Sequence, residues 1–124
     1  LDWQDAERQG NWFKPSTIEV DIIEHAQSLL HSKKAWHRND NRICTQTDSH
    51  SLFCALFQAS ITVDGEYRHL RPAVKFVRDI IEERHPKTYD HVLVEFNNAS
   101  SISYIELHKV LTLTKERLLQ QIPN

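Results

Sequence analysis

The residues richest in chemistry are two cysteines and a set of histidines. Cys44, His50 and Cys54, with His37 nearby, supply four soft or borderline donors of the kind that zinc takes. His50 and Cys54 are four apart and share a face if they lie on one helix. The spacing is not that of a known zinc knuckle, and half-formed ligand sets arise by chance. The competing reading makes Cys54 a small core residue, the usual fate of a free cysteine, and His50 a first-turn polar residue. A second arrangement makes Cys54 a nucleophile, His91 its base, and Asn97 or Asn98 the group that orients the base. It puts the thiol several residues inside a helix and lacks the sheet of papain-like sites, so an inert core thiol outweighs it. Two cysteines are few for a secreted domain that depends on disulfides. Both are therefore expected as reduced thiols in a cytoplasmic protein, with one disulfide as the alternative if the chain is exported.

The third candidate is a stripe of charge. Arg68, Arg71, Lys75 and Arg78 are spaced three, four and three apart and fall on one helical face. Lys33, Lys34 and Arg38 are placed to extend it in space. Such a face can hold an acidic protein, a phosphate group or nucleic acid. Asp79, Glu82 and Glu83 balance it, so a solvated face is the stronger expectation. Fifteen basic residues against seventeen acidic ones give a net charge of −2, which disfavours a nucleic-acid coat. With only Gly10 and Gly65, no phosphate-cradling loop can be built, and no cofactor is expected. His25, His31, His69, His85 and His108 are scattered on polar positions and predict some pH sensitivity rather than a site.

These residues need a frame. The most apolar stretch is Ser49 to Val63, which reads as a buried central helix capped by Asp48 or Ser49 and ended by Gly65. Ser16-Thr17-Ile18-Glu19 is a capping box that opens an amphipathic helix reaching about Leu30. Lys33 to Thr47 is a long connection, with Trp36 and Ile43 as anchors. Pro72 starts a helix whose buried stripe is Ala73, Phe76, Val77, Ile80 and Ile81. His91 to Phe96 is β-branched and apolar and reads as a short extended segment, able to pair across a dimer. Ser103 to Glu106 is a second capping box, with Ile102 and Leu107 as its hydrophobic staple. The sum is an all-α compact domain of about four main helices around a central apolar helix, with one extended segment. Residues 1–15 read as an N-terminal arm latched by Trp3, Trp12 and Phe13, and 16–124 as a single helical domain. No apolar run approaches the ~20 residues of a membrane span. Leu1-Asp2-Trp3 does not read as the start of a secretory signal, and a removed leader stays open.

The order of features is similar to a family of small bacterial and phage helical domains of unknown function. The match rests on Trp36 shortly after the first helix, on Cys54-Ala55-Leu56, and on Phe96-Asn97-Asn98-Ala99 before a Ser-capped last helix. It would span Ile18 to Leu119. The family tends to have Trp-Asn-Asp at the turn, where this chain has Phe96 and Asn98, and small residues at Phe57-Gln58. The resemblance implies a fold type and no activity. The leading expectation is a non-enzymatic binding or adaptor domain, acting on a protein partner or a second copy of itself. A cysteine-dependent hydrolase and a zinc-stabilised domain are the alternatives.

Overall fold

Five helices, with no β-strand, follow one another along residues 14–45 and 48–122, which the computed structural model describes. They are α1 (Thr17–Leu29), α2 (Leu52–Asp64), α3 (Pro72–Arg84), α4 (Val92–Asn98) and α5 (Tyr104–Gln121). A single 3-10 turn, Lys33–Ala35, follows α1. The aromatic latch expected of Trp3, Trp12 and Phe13 lies outside the described residues.

The most apolar helix is not the central one. α1 packs on α2, α5 and α3, whereas α2 packs mainly on α1 and less on α4. Ile22, Ile23 and Ala26 of α1 have no exposed surface, and neither do Leu52, Ala55, Leu56 and Ala59 of α2. The outer side of α2 carries Phe53 and Phe57, half-buried, with Gln58 and Ile61 exposed. Tyr67 covers these two rings, at 5.7 Å from Phe53 and 5.3 Å from Phe57. Ser51, rather than Asp48 or Ser49, caps the helix, its Oγ accepting the Cys54 N–H at 3.1 Å. Gly65 ends it at φ +80°, a left-handed conformation that glycine adopts without a Cβ penalty.

The expected extended segment is a helix. His91 caps α4, and Leu93 and Phe96, three apart, turn into the core with Asn97. The Glu95 carboxylate accepts the N–H groups of Asp90 (2.7 Å) and His91 (2.6 Å), donors that precede the first turn. No strand lies among the described residues to pair with this run, so the backbone satisfies itself locally. The first capping box is redirected as well. Ser16 sits at the N-cap of α1 without a side-chain bond, and Glu19 points inward. Its carboxylate receives Arg71 Nε (3.1 Å), Arg71 Nη2 (2.9 Å) and the Ala73 N–H (2.9 Å). Glu19 thus caps α3, whose own N-cap residue makes no side-chain cap. Arg71 also reaches Asp64 at 2.9 Å and the Glu66 carbonyl at 3.1 Å. Burial works against the Arg71 charge, but the hydrogen bonds and charges of Glu19 and then Asp64 outweigh it and raise the guanidinium above its ordinary value. Losing one partner of such a buried pair costs roughly 3–5 kcal/mol, because the other is stranded.

The last helix keeps the serine half of its predicted capping box, together with the hydrophobic staple. Ser103 Oγ accepts the Glu106 N–H at 3.1 Å, and Ile102 and Leu107 are buried on either side of the cap. Glu106 turns outward to the end of α3, receiving Arg84 at 2.7 and 2.8 Å and His85 Nε2 at 2.7 Å. The Arg84 hydrogen bond, ahead of that from His85, draws the Glu106 carboxyl down to about 2 from an ordinary 4.5, against the opposing effect of burial. Between those values the unfolded chain binds the extra proton, so the α3–α5 tie is fully felt above about pH 4.5 and is lost as pH falls toward 2. Glu106→Gln should therefore be less stable than the parent near neutral pH, and the difference should shrink as pH is lowered through this window. Denaturant melts at several pH values measure it; a difference that stays constant with pH contradicts the assignment.

Candidate functional site

The long connection between α1 and α2 must cross the end of the molecule, and one buried side chain fastens it. Asn97 of α4 is fully buried. Its Oδ1 accepts Trp36 Nε1 at 2.7 Å and the Leu52 N–H at 2.9 Å. Its Nδ2 donates to the His37 carbonyl at 3.0 Å and to Asn98 Oδ1 at 2.9 Å. Asn98 clasps the next part of the loop, donating to the Asp40 carbonyl (3.0 Å) and accepting the Asp40 N–H (2.8 Å). Arg38 lies 4.3 Å over the Trp36 ring and donates to the Ala99 and Ile102 carbonyls, each at 2.7 Å. The two ends of the loop meet in a parallel bridge between Trp36 and His50, through His37 N–H to the His50 carbonyl and His50 N–H to the Ala35 carbonyl, both 2.8 Å.

This path brings Cys44 to Cys54, and the two form a disulfide with a Cα–Cα distance of 5.3 Å. The expectation of reduced thiols is thereby corrected: the chain's two cysteines are paired. The physical reason is the loop's return, which sequence spacing does not show. With both sulfurs bonded, Cys54 has no thiolate to attack a substrate, and neither cysteine has one to offer zinc. His91 stands exposed at the start of α4, with no hydrogen bond to Cys54 among the described residues, and Asn97 is occupied by the loop. His37 Nε2 lies 3.0 Å from the Asn39 carbonyl, and His50 keeps a buried Nδ1 without a hydrogen-bond partner. Burial lowers the His50 pKa. Among the described residues no group of three or more His, Cys, Asp or Glu is arranged to hold a metal.

The basic stripe does not form one surface. Arg71 is only 3% exposed and belongs to the interior pair with Glu19. Arg68 pairs with Glu66, and Lys75 pairs with Asp79 at 2.7 Å. Arg78 is half-buried and donates to the His69 carbonyl at 2.8 Å. Lys33 and Lys34 are exposed in the 3-10 turn, while Arg38 is engaged with Trp36.

Arg78 instead lines a groove of about 440 Å³. Its floor is the edge-to-face pair Phe53 and Tyr67. Arg42 lines it from the disulfide loop, His69 from the α2–α3 connection, Arg78 and Glu82 from α3, and residues 90–94 from the start of α4. Tyr67 Oη lies 3.3 Å from His69 Nδ1. Burial, with the Arg78 charge adding to it, lowers the His69 pKa; burial raises the Tyr67 pKa, with Arg78 opposing. Burial also lowers the Arg78 pKa. The groove sets the guanidinium groups of Arg42 and Arg78 beside the carboxylates of Glu82 and Asp90 and the imidazoles of His69 and His91. It can donate to an anion and stack an apolar group. Sequence reasoning did not assemble it, because its walls come from four separate segments. Three signals touched it: the length of the 33–47 connection, Arg78 in the basic stripe and His91 as a candidate base.

No family model matches this chain, and no curated protein and no solved structure matches it either.

Asn97→Ala orphans the Trp36 indole and the Leu52 amide, at roughly 1–3 kcal/mol for each buried donor left unsatisfied. The variant should unfold at markedly lower denaturant and lose the near-ultraviolet signal of Trp36. Asn97→Asp, which keeps the acceptor but sets a buried carboxylate oxygen against the His37 carbonyl and Asn98 Oδ1, should also lose stability. Equal stability of all three proteins would show that Asn97 does not fasten the loop.

Proposed function

We propose that this chain is a non-enzymatic binding domain that takes a short segment of a partner protein into the groove beside Cys44–Cys54. The observation that carries the reading is the joining of an aromatic floor, Phe53 and Tyr67, to two guanidinium groups in one concave site. Aromatic and arginine side chains together are the usual anchors of protein contacts. The Arg42 guanidinium has no hydrogen bond or ion pair among the described residues, and Arg78 uses one nitrogen on His69. Both can grip a carboxylate. Glu82 and Asp90 also line the groove, so a uniformly acidic ligand fits less well than a segment with one carboxylate beside an apolar side chain. The contact surface so proposed takes only Arg78 from the stripe of Arg68, Arg71, Lys75 and Arg78. Nucleic acid is not favoured as the partner, given the net charge of −2 and the burial of Arg71. No helix among the described residues is long and apolar enough to cross a membrane.

A disulfide persists in oxidising surroundings, so the pairing of Cys44 and Cys54 supports such a compartment over the cytoplasm. Kinship with the bacterial and phage helical domains is likewise a proposal. It is supported by the way Trp36 and Asn97, two residues of the resemblance, meet in one hydrogen bond.

Selection of random peptides on the immobilised domain tests the binding reading. Enriched sequences should share an acidic residue next to an apolar one. Arg42→Asn should weaken them on the order of tenfold, the loss of about 1.4 kcal/mol. Asparagine is the informative replacement because Arg42 sits at φ +66°, which it tolerates. No enrichment, or peptides indifferent to both Arg42→Asn and Tyr67→Ala, would refute the groove as the binding site.

A further inference from the structure

The two sulfurs of Cys44–Cys54 occupy unlike environments. Cys44 is exposed on the loop, whereas Cys54 is 4% exposed and lies in the first turn of α2. An incoming thiolate meets the bridge from the Cys44 side. When a disulfide is attacked, the electron pair of the broken bond leaves on the distant sulfur, and the reaction is faster when that thiolate is stabilised. The Cys54 sulfur lies at the positive end of the α2 dipole, which favours negative charge there against the opposing effect of its burial. The loop's other fastenings need no sulfur: Asn97 and Asn98 hold its first half, and the Trp36–His50 bridge closes its base. Opening the bridge thus releases Cys44 and leaves the base of the loop in place.

We propose that Cys44–Cys54 is an exchange-active disulfide and that Cys44 is the site where a low-molecular-weight thiol of the glutathione class is captured. The thiolate bonds to Cys44 Sγ, the Sγ–Sγ bond breaks, and Cys54 departs as a thiolate that takes a proton from water. A second thiolate then attacks the adduct, forms the small-molecule disulfide and frees Cys44. Two small thiols are oxidised to one disulfide, and the protein disulfide is reduced to two thiols. Arg42, two residues before Cys44, loses its nearest covalent tether to α2 in the process. Any effect on ligand binding rests on the groove reading, whereas the exchange step does not.

The intact protein, incubated with reduced glutathione near neutral pH, quenched in acid, alkylated and mapped by mass spectrometry, tests this without any ligand. The glutathione adduct should sit on Cys44 with Cys54 as the free thiol, at about tenfold excess over the reverse, while the helical circular-dichroism signal persists. An adduct chiefly on Cys54, or none until denaturant is added, overturns the proposal. As an independent check, Cys44 in Cys54→Ser should react with an aromatic disulfide reagent at least about tenfold faster than Cys54 in Cys44→Ser. Equal or inverted rates also overturn it. Should either variant fail to fold, the mapping on the parent protein decides alone. Unchanged peptide affinity after reduction would refute a link between the bridge and Arg42 in the groove and leave the exchange assignment standing.

Discussion

The carboxamide of Asn97 is the bond-maker on which the rest of this molecule depends. An amide side chain offers two acceptor sites and two donors, and here all four are used, on Trp36, Leu52, His37 and Asn98. The four partners come from the loop, the first residue of α2, and α4 itself. A loop that crosses a bundle end buries backbone polar groups, and each needs a partner. Asn97 and Asn98 supply those partners from a helix of seven residues. A helix that short has no independent stability. It persists because Leu93 and Phe96 enter the core on the same turn that presents Asn97 to the loop. Loop and helix are therefore one unit: neither would hold its shape without the other.

A second polar cluster lies at the opposite end of α2. Asp64, its last residue, shares Arg71 with Glu19, so the helix is tied at its start through Leu52 and Cys54 and at its end through Asp64. The apolar face between is Leu52, Ala55, Leu56 and Ala59. Apolar packing is non-directional, and a face of small and medium side chains does little to fix how far a helix slides or turns. Hydrogen bonds and ion pairs are directional and set that register in α2. The same logic explains why α1 rather than α2 stands at the centre. Glu19 carries the α1 contribution into the buried pair, and its carboxylate also completes the first turn of α3.

Four of the helices were legible in the sequence because each carries a long apolar periodicity: α1 through Ile22 and Ala26, α3 through Val77, Ile80 and Ile81, α5 through Leu107, Leu111 and Leu118, and α2 as a continuous run. α4 was not. Over six residues, His91 to Phe96, apolar strand and buried helix look alike, and the deciding interaction is Glu95 folding back on two amides. Charged residues misled for a related reason. Glu19 fits a local capping box and Arg71 fits a surface stripe, yet each is taken up by the other from 52 positions away. The cysteine pairing stayed the lesser alternative, and the groove failed to appear, for want of the loop's path. That path is decided by Asn97, a residue whose type says only that it needs partners.

The loop also shows where the molecule keeps its unsettled chemistry. Up to Asp40 the loop is fastened to Asn97 and Asn98, through Arg38 to the Ala99 and Ile102 carbonyls, and by the Trp36–His50 bridge. Beyond that point the backbone turns on its own side chains, with Asp40 Oδ1 accepting the Arg42 N–H at 2.7 Å and Asn41 Oδ1 accepting the Ile43 N–H at 3.0 Å. Arg42 takes up a left-handed conformation, and both buried polar side-chain atoms without a partner among the described residues, Asp40 Oδ2 and His50 Nδ1, lie in this loop. A fold whose levels agree elsewhere tolerates such departures where function, rather than stability, decides the residue. Stability is unevenly distributed, and segments that bind or move are drawn from its weak end. The base of the loop is over-determined, while among the described residues the stretch with Arg42 and Cys44 is held by two side-chain turns and the disulfide. That places Arg42, whose guanidinium is unengaged among the described residues, and the exposed residue Cys44 on the part of the loop best able to change without loss of the core.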